Sequence, residues 1–357
     1  MRAFAILAIM LHNYCHWLNP IVKENEYQYI QHNVDWLLQV LSHPDLLLPV
    51  HLLSFFGHYG VPVFLFLSAY GLEQKYGKHR LPPTADSGST GATNGNASAS
   101  GRKEPTAWAF IRYHYLKLFK MMVVGFICFI IIDRLTPGPW HYNVLQIVAQ
   151  LGMFNNLLPD PDHQIWPGPF WFFGLMLQLY IIYRLFIYRR SSAWTIALMV
   201  VCVGIQLLLD PESDAMNQYR YNSTGGMLPF GLGILYARHL KGGTSRGIML
   251  AVFALCTLLM FGMSLDAILW TFVPVFICLG AVTLVKVLPG ALMPSLQWLG
   301  AISSAIYIIH PTLRKIFIPI SRGGDIYTGL LLYIIATIGV AWLTKQLMKK
   351  IPNPKLQ

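Results

Sequence analysis

Blocks of aliphatic and aromatic residues alternate along the chain with short polar stretches, and ten of the blocks approach the roughly 20 residues that a helix needs to cross a bilayer. They fall near 2–19, 49–72, 113–133, 168–188, 193–209, 225–240, 247–264, 267–286, 297–319 and 327–347. The first and sixth are short, which tilting or partial re-entry accommodates. The pattern predicts an all-α polytopic integral membrane protein with about ten transmembrane helices. No internal repeat and no second domain is marked, so the reading is one membrane domain over 1–357.

The stretches between the blocks carry their own patterns. Residues 20–45 are mixed in polarity with apolar positions at helical spacing, which predicts an amphipathic helix lying on the outer surface and lidding a site. Residues 84–105 are small, polar and Gly/Ser/Ala-rich; they bury too little to fold and predict a flexible cytoplasmic linker. Residues 137–167, rich in Pro, Trp and Asn, predict an outer loop holding a short interfacial helix from Tyr142 to Phe154, with Trp140 and Trp166 as headgroup anchors.

Composition agrees with the pattern. The chain is 55% hydrophobic and only 11% charged, which is too apolar for an ordinary soluble domain. Its net charge of +11 does not form a nucleic-acid surface, because aliphatic blocks separate the basic residues. Their placement instead follows topology. With both termini cytoplasmic, only Lys23, Arg134, Arg220, Arg314, Lys315 and Arg322 fall outside, together with most of the acids, and the remaining Lys and Arg fall inside. The five cysteines lie in apolar runs with no close pairing and read as small buried hydrophobes. The first block lacks a small-x-small cleavage site, so it is read as a retained span.

That first block, RAFAILAIMLHNYCHW, carries the groups an apolar span should not have. Ionisable side chains at bilayer depth are costly unless they face a polar interior. At 100° per residue, Asn13 lies within roughly 20° of Arg2 around the helix, His16 within about 40° and His12 about 80° away on the same side. His12 sits about 15 Å from Arg2 along the axis. One face therefore carries a cation near a surface and imidazoles deeper in. His12, Cys15 and His16 share ligand spacing on that face, but no further ligand is evident in the sequence, so no metal is expected.

Other candidates converge on the same depth. His310 in the ninth block and His51 and His58 in the second predict a shared polar cavity, with Tyr307 as a hydrogen-bond partner. His310 precedes Pro311 and reads equally as a kink residue satisfying a freed carbonyl. Arg112, Lys117 and Lys120 lie at the cytoplasmic entrance of the third block, where they would meet anionic phosphates or simply obey the positive-inside bias.

Four stretches in order, GHYGVPVFLFLSAYGLEQKYG (Gly57 to Gly77), FIRYHYLKLFK (Phe110 to Lys120), PGPFWFFGLMLQLYIIY (Pro167 to Tyr183) and LGAISSAIYIIHPTL (Leu299 to Leu313), make the chain resemble the bacterial acyltransferase-3 family. The resemblance implies a multipass enzyme of the bacterial inner membrane. It implies transfer of an acetyl or other short acyl group from cytoplasmic acyl-CoA, a co-substrate rather than a bound cofactor, to a hydroxyl of an envelope carbohydrate or glycolipid. Asn13 stands where the family has a histidine, Lys117 where it has arginine, Lys120 where it has proline, and Ala69 where it has glycine after the serine. The base is thus open between His12 and His16, with Arg2, Asn13 and His310 beside them in the catalytic set. Arg112, Lys117, Lys120, His58 and Tyr307 form the substrate-binding set. The competing class is a transporter or flippase for a small anion or glycolipid, which also needs buried Arg and His; the lack of a repeat weighs against it.

Overall fold

The computed structural model describes residues 1–77, 105–240 and 245–356, so the linker predicted over 84–105 lies outside the described residues except for Pro105. Regular structure among these residues is helical. Each of the ten apolar blocks holds a helix, but they are not equally long. Six are long and apolar enough to cross a membrane: Leu48–Gly77, Ala107–Leu135, Gly168–Ile187, Arg246–Met263, Gly290–Arg322 and Ile326–Lys350. Ser192–Leu208 and Val273–Val287 are shorter apolar helices. Arg2–Cys15 and Ser223–His239 occupy the two blocks already marked as short. The protein is a polytopic membrane protein. The ten helices are numbered below in chain order, first to tenth.

Several helix starts follow from side-chain caps. Thr106, Ser191, Ser245 and Asp325 accept from the backbone N–H groups of Ala109, Trp194, Ile248 and Thr328, satisfying donors that the first turn leaves orphaned. The interfacial helix predicted from Tyr142 runs from Val144 to Gly152, closed by a reciprocal capping box between Asn143 and Gln146. The amphipathic helix predicted over 20–45 forms only at Gln31–Ser42. Residues 21–30 are irregular and fold back into the bundle.

Two apolar clusters flank the space that matters. One is centred on Phe170, Phe173, Met176 and Phe230, where the fourth and sixth helices meet the second and third. The other joins Ile6, Met10 and Tyr14 of the first helix to Ile306, Ile309 and Tyr333 of the ninth and tenth. The fifth and seventh helices lie at the periphery, with Val200 63% and Leu258 71% exposed, a lipid-facing pattern.

The first helix is held unusually tightly. Gly57 and Gly60 let the second helix press against it: a Cβ on Gly57 would stand 2.6 Å from the His12 Cβ, and one on Gly60 would collide with the Ala5 carbonyl oxygen. Tyr14 donates to the Phe317 carbonyl at 3.0 Å and Tyr333 to the Met10 carbonyl at 3.0 Å. At the C-terminal end, Arg314 donates to the Asn13 carbonyl at 3.1 Å, Arg322 to the Trp17 carbonyl at 3.0 Å, and Lys23 to the His16 and Leu18 carbonyls. Three cations thus complement the negative end of the helix dipole.

Candidate functional site

A cavity of about 980 Å³ lies between the two apolar clusters, walled by the first, second, third, fourth and ninth helices and by the 16–33 segment. Its lining runs from Arg2, Ser68, His114, Lys117 and Ser304 at one end to Lys23, Glu24, Glu26, Asp162 and Trp166 at the other. The first is called the basic end and the second the acidic end. His12, Asn13 and His16 line the stretch between. All four polar residues singled out on the first helix therefore face the same space. Cys15 turns the other way, into the apolar cluster with Met10 and Tyr14.

His12 is 2% exposed, and its Nδ1 lies 2.7 Å from the Ser54 carbonyl oxygen. A carbonyl only accepts, so Nδ1 carries the proton and Nε2 presents its lone pair. The nearest carboxylate oxygens to Nε2 are Glu26 Oε2 at 3.8 Å and Glu24 Oε1 at 3.9 Å. His16 lies beside it, ring centroids 4.8 Å apart, with Nδ1 3.0 Å from Glu24 Oε1 and Nε2 buried without a hydrogen-bond partner among the described residues. His58 packs edge-on against His12 at 5.7 Å, and neither of its ring nitrogens has a hydrogen-bond partner among the described residues.

The two glutamates arrive on the irregular 21–30 segment, which is fixed rather than loose. Val22 N–H donates to His51 Nδ1 at 3.1 Å, and Ser54 Oγ donates to the Val22 carbonyl at 2.5 Å. Arg220 donates twice to the Glu26 carbonyl, at 2.9 and 3.0 Å, and Trp270 Nε1 donates to the Asn25 carbonyl at 2.8 Å. Burial alone would raise the Glu24 carboxyl, but the facing His16 and His12 imidazoles outweigh it and hold Glu24 below the ordinary carboxylate range. Burial and the Glu24 charge push Glu26 up to about 8, against the pull of Arg220.

The predicted residues divide clearly. Arg2, His12, Asn13, His16, His58, Lys117 and Tyr307 all line the cavity. Tyr307 donates to the Pro169 carbonyl, tying the ninth helix to the start of the fourth. His310 does not join them: it is fully buried within the ninth helix, with Nδ1 3.3 Å from the Ile306 carbonyl oxygen. His51 anchors Val22 instead of facing the cavity. Lys120 turns away to the chain end, donating to the Ile351 carbonyl at 2.7 Å and Asn353 Oδ1 at 3.0 Å. Arg112 is exposed on the helix surface and does not line the cavity.

Sequence reasoning missed Glu24, Glu26, Arg314 and His114. The glutamates lay in a stretch read as surface helix, and no periodicity signals an irregular return into a bundle. Arg314 had a signal, since it sits seven residues beyond Tyr307, two helical turns on along the same face. It lines the cavity with its guanidinium 4.9 Å from the Trp17 ring.

A family model described as an acyltransferase domain, that of the acyltransferase-3 family, matches residues 1–345. No curated protein and no solved structure matches the chain.

Proposed function

Because the chain belongs to the acyltransferase-3 family and is a membrane acyltransferase, we propose that it moves an acetyl or other short acyl group from acyl-CoA at the basic end of the cavity to a hydroxyl of an envelope carbohydrate or glycolipid at the acidic end. The observation that carries this reading is the single cavity whose lining joins Arg2 and Lys117 to His12 and then to the acidic mouth. A nucleotide too polar for the bilayer stays at the basic end, where cations meet its phosphates. Its thin acyl-bearing arm extends inward. At the other end, Trp17, Tyr27, Trp166 and Trp171 offer amphipathic faces, and Asp162 and Asn217 offer hydrogen-bonding groups, a combination suited to a sugar.

In this mechanism His12 Nε2 removes the proton of the acceptor hydroxyl as its oxygen attacks the thioester carbonyl. Asn13 Nδ2 uses one hydrogen on the Ile9 carbonyl at 3.0 Å and has a second for the developing oxyanion. Collapse breaks the carbon–sulfur bond, and the leaving thiolate takes the proton from His12. The ester and free coenzyme A are the products. The positive-inside bias supports an orientation with the basic end and both termini in the cytoplasm, and the family resemblance a bacterial inner-membrane setting.

The test is transfer of labelled acetyl from acetyl-CoA to envelope glycan or glycolipid by the wild type and by His12→Ala, His16→Ala and Arg2→Ala. Acceptor-dependent label transfer and release of free thiol, lost in His12→Ala, support the reading. Transport of an anion or glycolipid without acyl-CoA turnover, or full transfer by His12→Ala, rejects it.

A further inference from the structure

We infer that His12, His16 and Glu24 form a binding site for a zinc-type divalent transition ion, and that the ion, when bound, blocks acyl transfer. Nδ1 or Nε2 of each histidine and a carboxylate oxygen of Glu24 lie within 4.8 Å of one another. Two histidines four residues apart on one helix face are the arrangement that lets imidazoles share an ion. The sequence supplies no third ligand at helical spacing; the fold does, by returning the 21–30 segment against the first helix.

Donor chemistry and geometry agree. Zinc takes imidazole nitrogen and carboxylate oxygen at about 2.0–2.2 Å in tetrahedral sites. With His16 Nδ1 already 3.0 Å and His12 Nε2 3.9 Å from Glu24 Oε1, small side-chain shifts bring the three donors around one centre. Glu26 Oε2, 3.8 Å from His12 Nε2, stands within reach of the fourth position. The orientation of His12 is also that of a ligand: Nδ1–H is held by a backbone carbonyl at 2.7 Å, which fixes the tautomer with Nε2 free. Lys23, next in sequence to Glu24, directs its ammonium to helix carbonyls and makes no ion pair with that carboxylate among the described residues; the closest charged-group contacts of Glu24 are with His16 and His12.

Binding releases the proton shared between His16 Nδ1 and Glu24 Oε1, and it engages the lone pair of His12 Nε2. The blocking role rests on the proposed use of His12 as the base in acyl transfer, whereas the ion site itself does not.

The experiment uses the full chain purified in detergent and stripped with EDTA, titrated with Zn²⁺ for stoichiometry and with Co²⁺ for the visible absorption of a tetrahedral site. One ion per chain is expected in the wild type and in His163→Ala, which removes an exposed histidine paired with Asp160. Affinity falls roughly tenfold or more in Glu24→Gln and in His16→Ala. Glu24→Gln keeps the side-chain shape, so its melting profile verifies the fold. Lack of stoichiometric binding by the wild type, or equal binding by both ligand variants, overturns the site. In the labelled-acetyl assay, Zn²⁺ suppresses wild-type transfer and EDTA restores it; transfer unchanged or raised by the ion overturns the blocking role. An ion bound by a protein that never turns over acetyl-CoA supports the site and overturns the acyl-transfer reading, so the two fail separately.

Discussion

Two buried groups of ionisable side chains in this bundle are treated oppositely. Near one end, Arg238 meets Glu73 through Nε–Oε1 at 2.9 Å, and Tyr183 donates to Glu73 Oε2 at 3.1 Å. Nη2 also reaches Glu73 Oε2 at 3.4 Å, and the other guanidinium hydrogens go to the Arg190 and Ile187 carbonyls and to Thr195. In the cavity, by contrast, the nitrogens of His58, His16 Nε2 and Glu24 Oε2 are buried with no hydrogen-bond partner of good geometry among the described residues. Leaving buried polar groups unpaired is costly, so a protein keeps them where a ligand or a reacting atom completes the set. The satisfied group locks helices together; the unsatisfied one is held open by the structure around it.

The sharpest way to break that contrast is to remove one member from each group. His12→Ala should lower acyl transfer by about 10²–10⁴-fold, the usual contribution of a positioned general base, with little change in melting temperature. Glu73→Ala should do the reverse. It leaves the Arg238 guanidinium buried and unpaired, at a cost of about 3–5 kcal/mol, read as a lower thermal midpoint in detergent. Should Glu73→Ala melt normally while His12→Ala fails to fold, the assignment of roles is inverted.

A smaller effect separates the two glutamates of the cavity. Glu26 titrates near 8 in the folded protein, well above an ordinary carboxyl. Between pH about 4.5 and 8 the folded state therefore holds a proton that the unfolded chain has lost, so this group's contribution to stability falls as pH rises through that window. Glu24, held low, has no such slope there, because it is ionised in both states. Unfolding free energies at pH 5 and pH 8, followed through the thermal midpoints, should thus diverge more in the wild type than in Glu26→Gln, by an amount on the order of a few kcal/mol at most. Equal pH dependence in the two proteins would mean that Glu26 ionises normally.

How much of this was legible depended on whether the information is local. The polar face of the first helix is a consequence of 100° per residue, and Arg2, His12, Asn13 and His16 do share one cavity. The helical blocks follow from hydropathy. What helical geometry cannot encode is a contact made by irregular chain: Glu24 reaches His16 because Arg220, Trp270 and His51 fix the 21–30 segment from distant parts of the sequence. Helix rotation over long stretches was the other gap. His310 shares the ninth helix with Tyr307 and Arg314, yet these two line the cavity while His310 turns to its own backbone.

The third helix offers the smallest and most discriminating test, because three basic residues with equal standing in the sequence end in three environments. Lys117 lines the cavity near Arg2, Arg112 faces outward, and Lys120 clasps the chain end at Ile351 and Asn353. If the basic end receives nucleotide phosphates, only the residue lining the cavity should matter to donor binding. Lys117→Ala should raise KM for acetyl-CoA about fivefold, corresponding to about 1 kcal/mol for a solvent-accessible charge contact, with kcat little changed. Lys120→Ala should leave KM alone while freeing the C-terminal segment to proteolysis. Equal KM shifts from all three substitutions would indicate a diffuse electrostatic attraction to the membrane face instead of a phosphate contact inside the cavity.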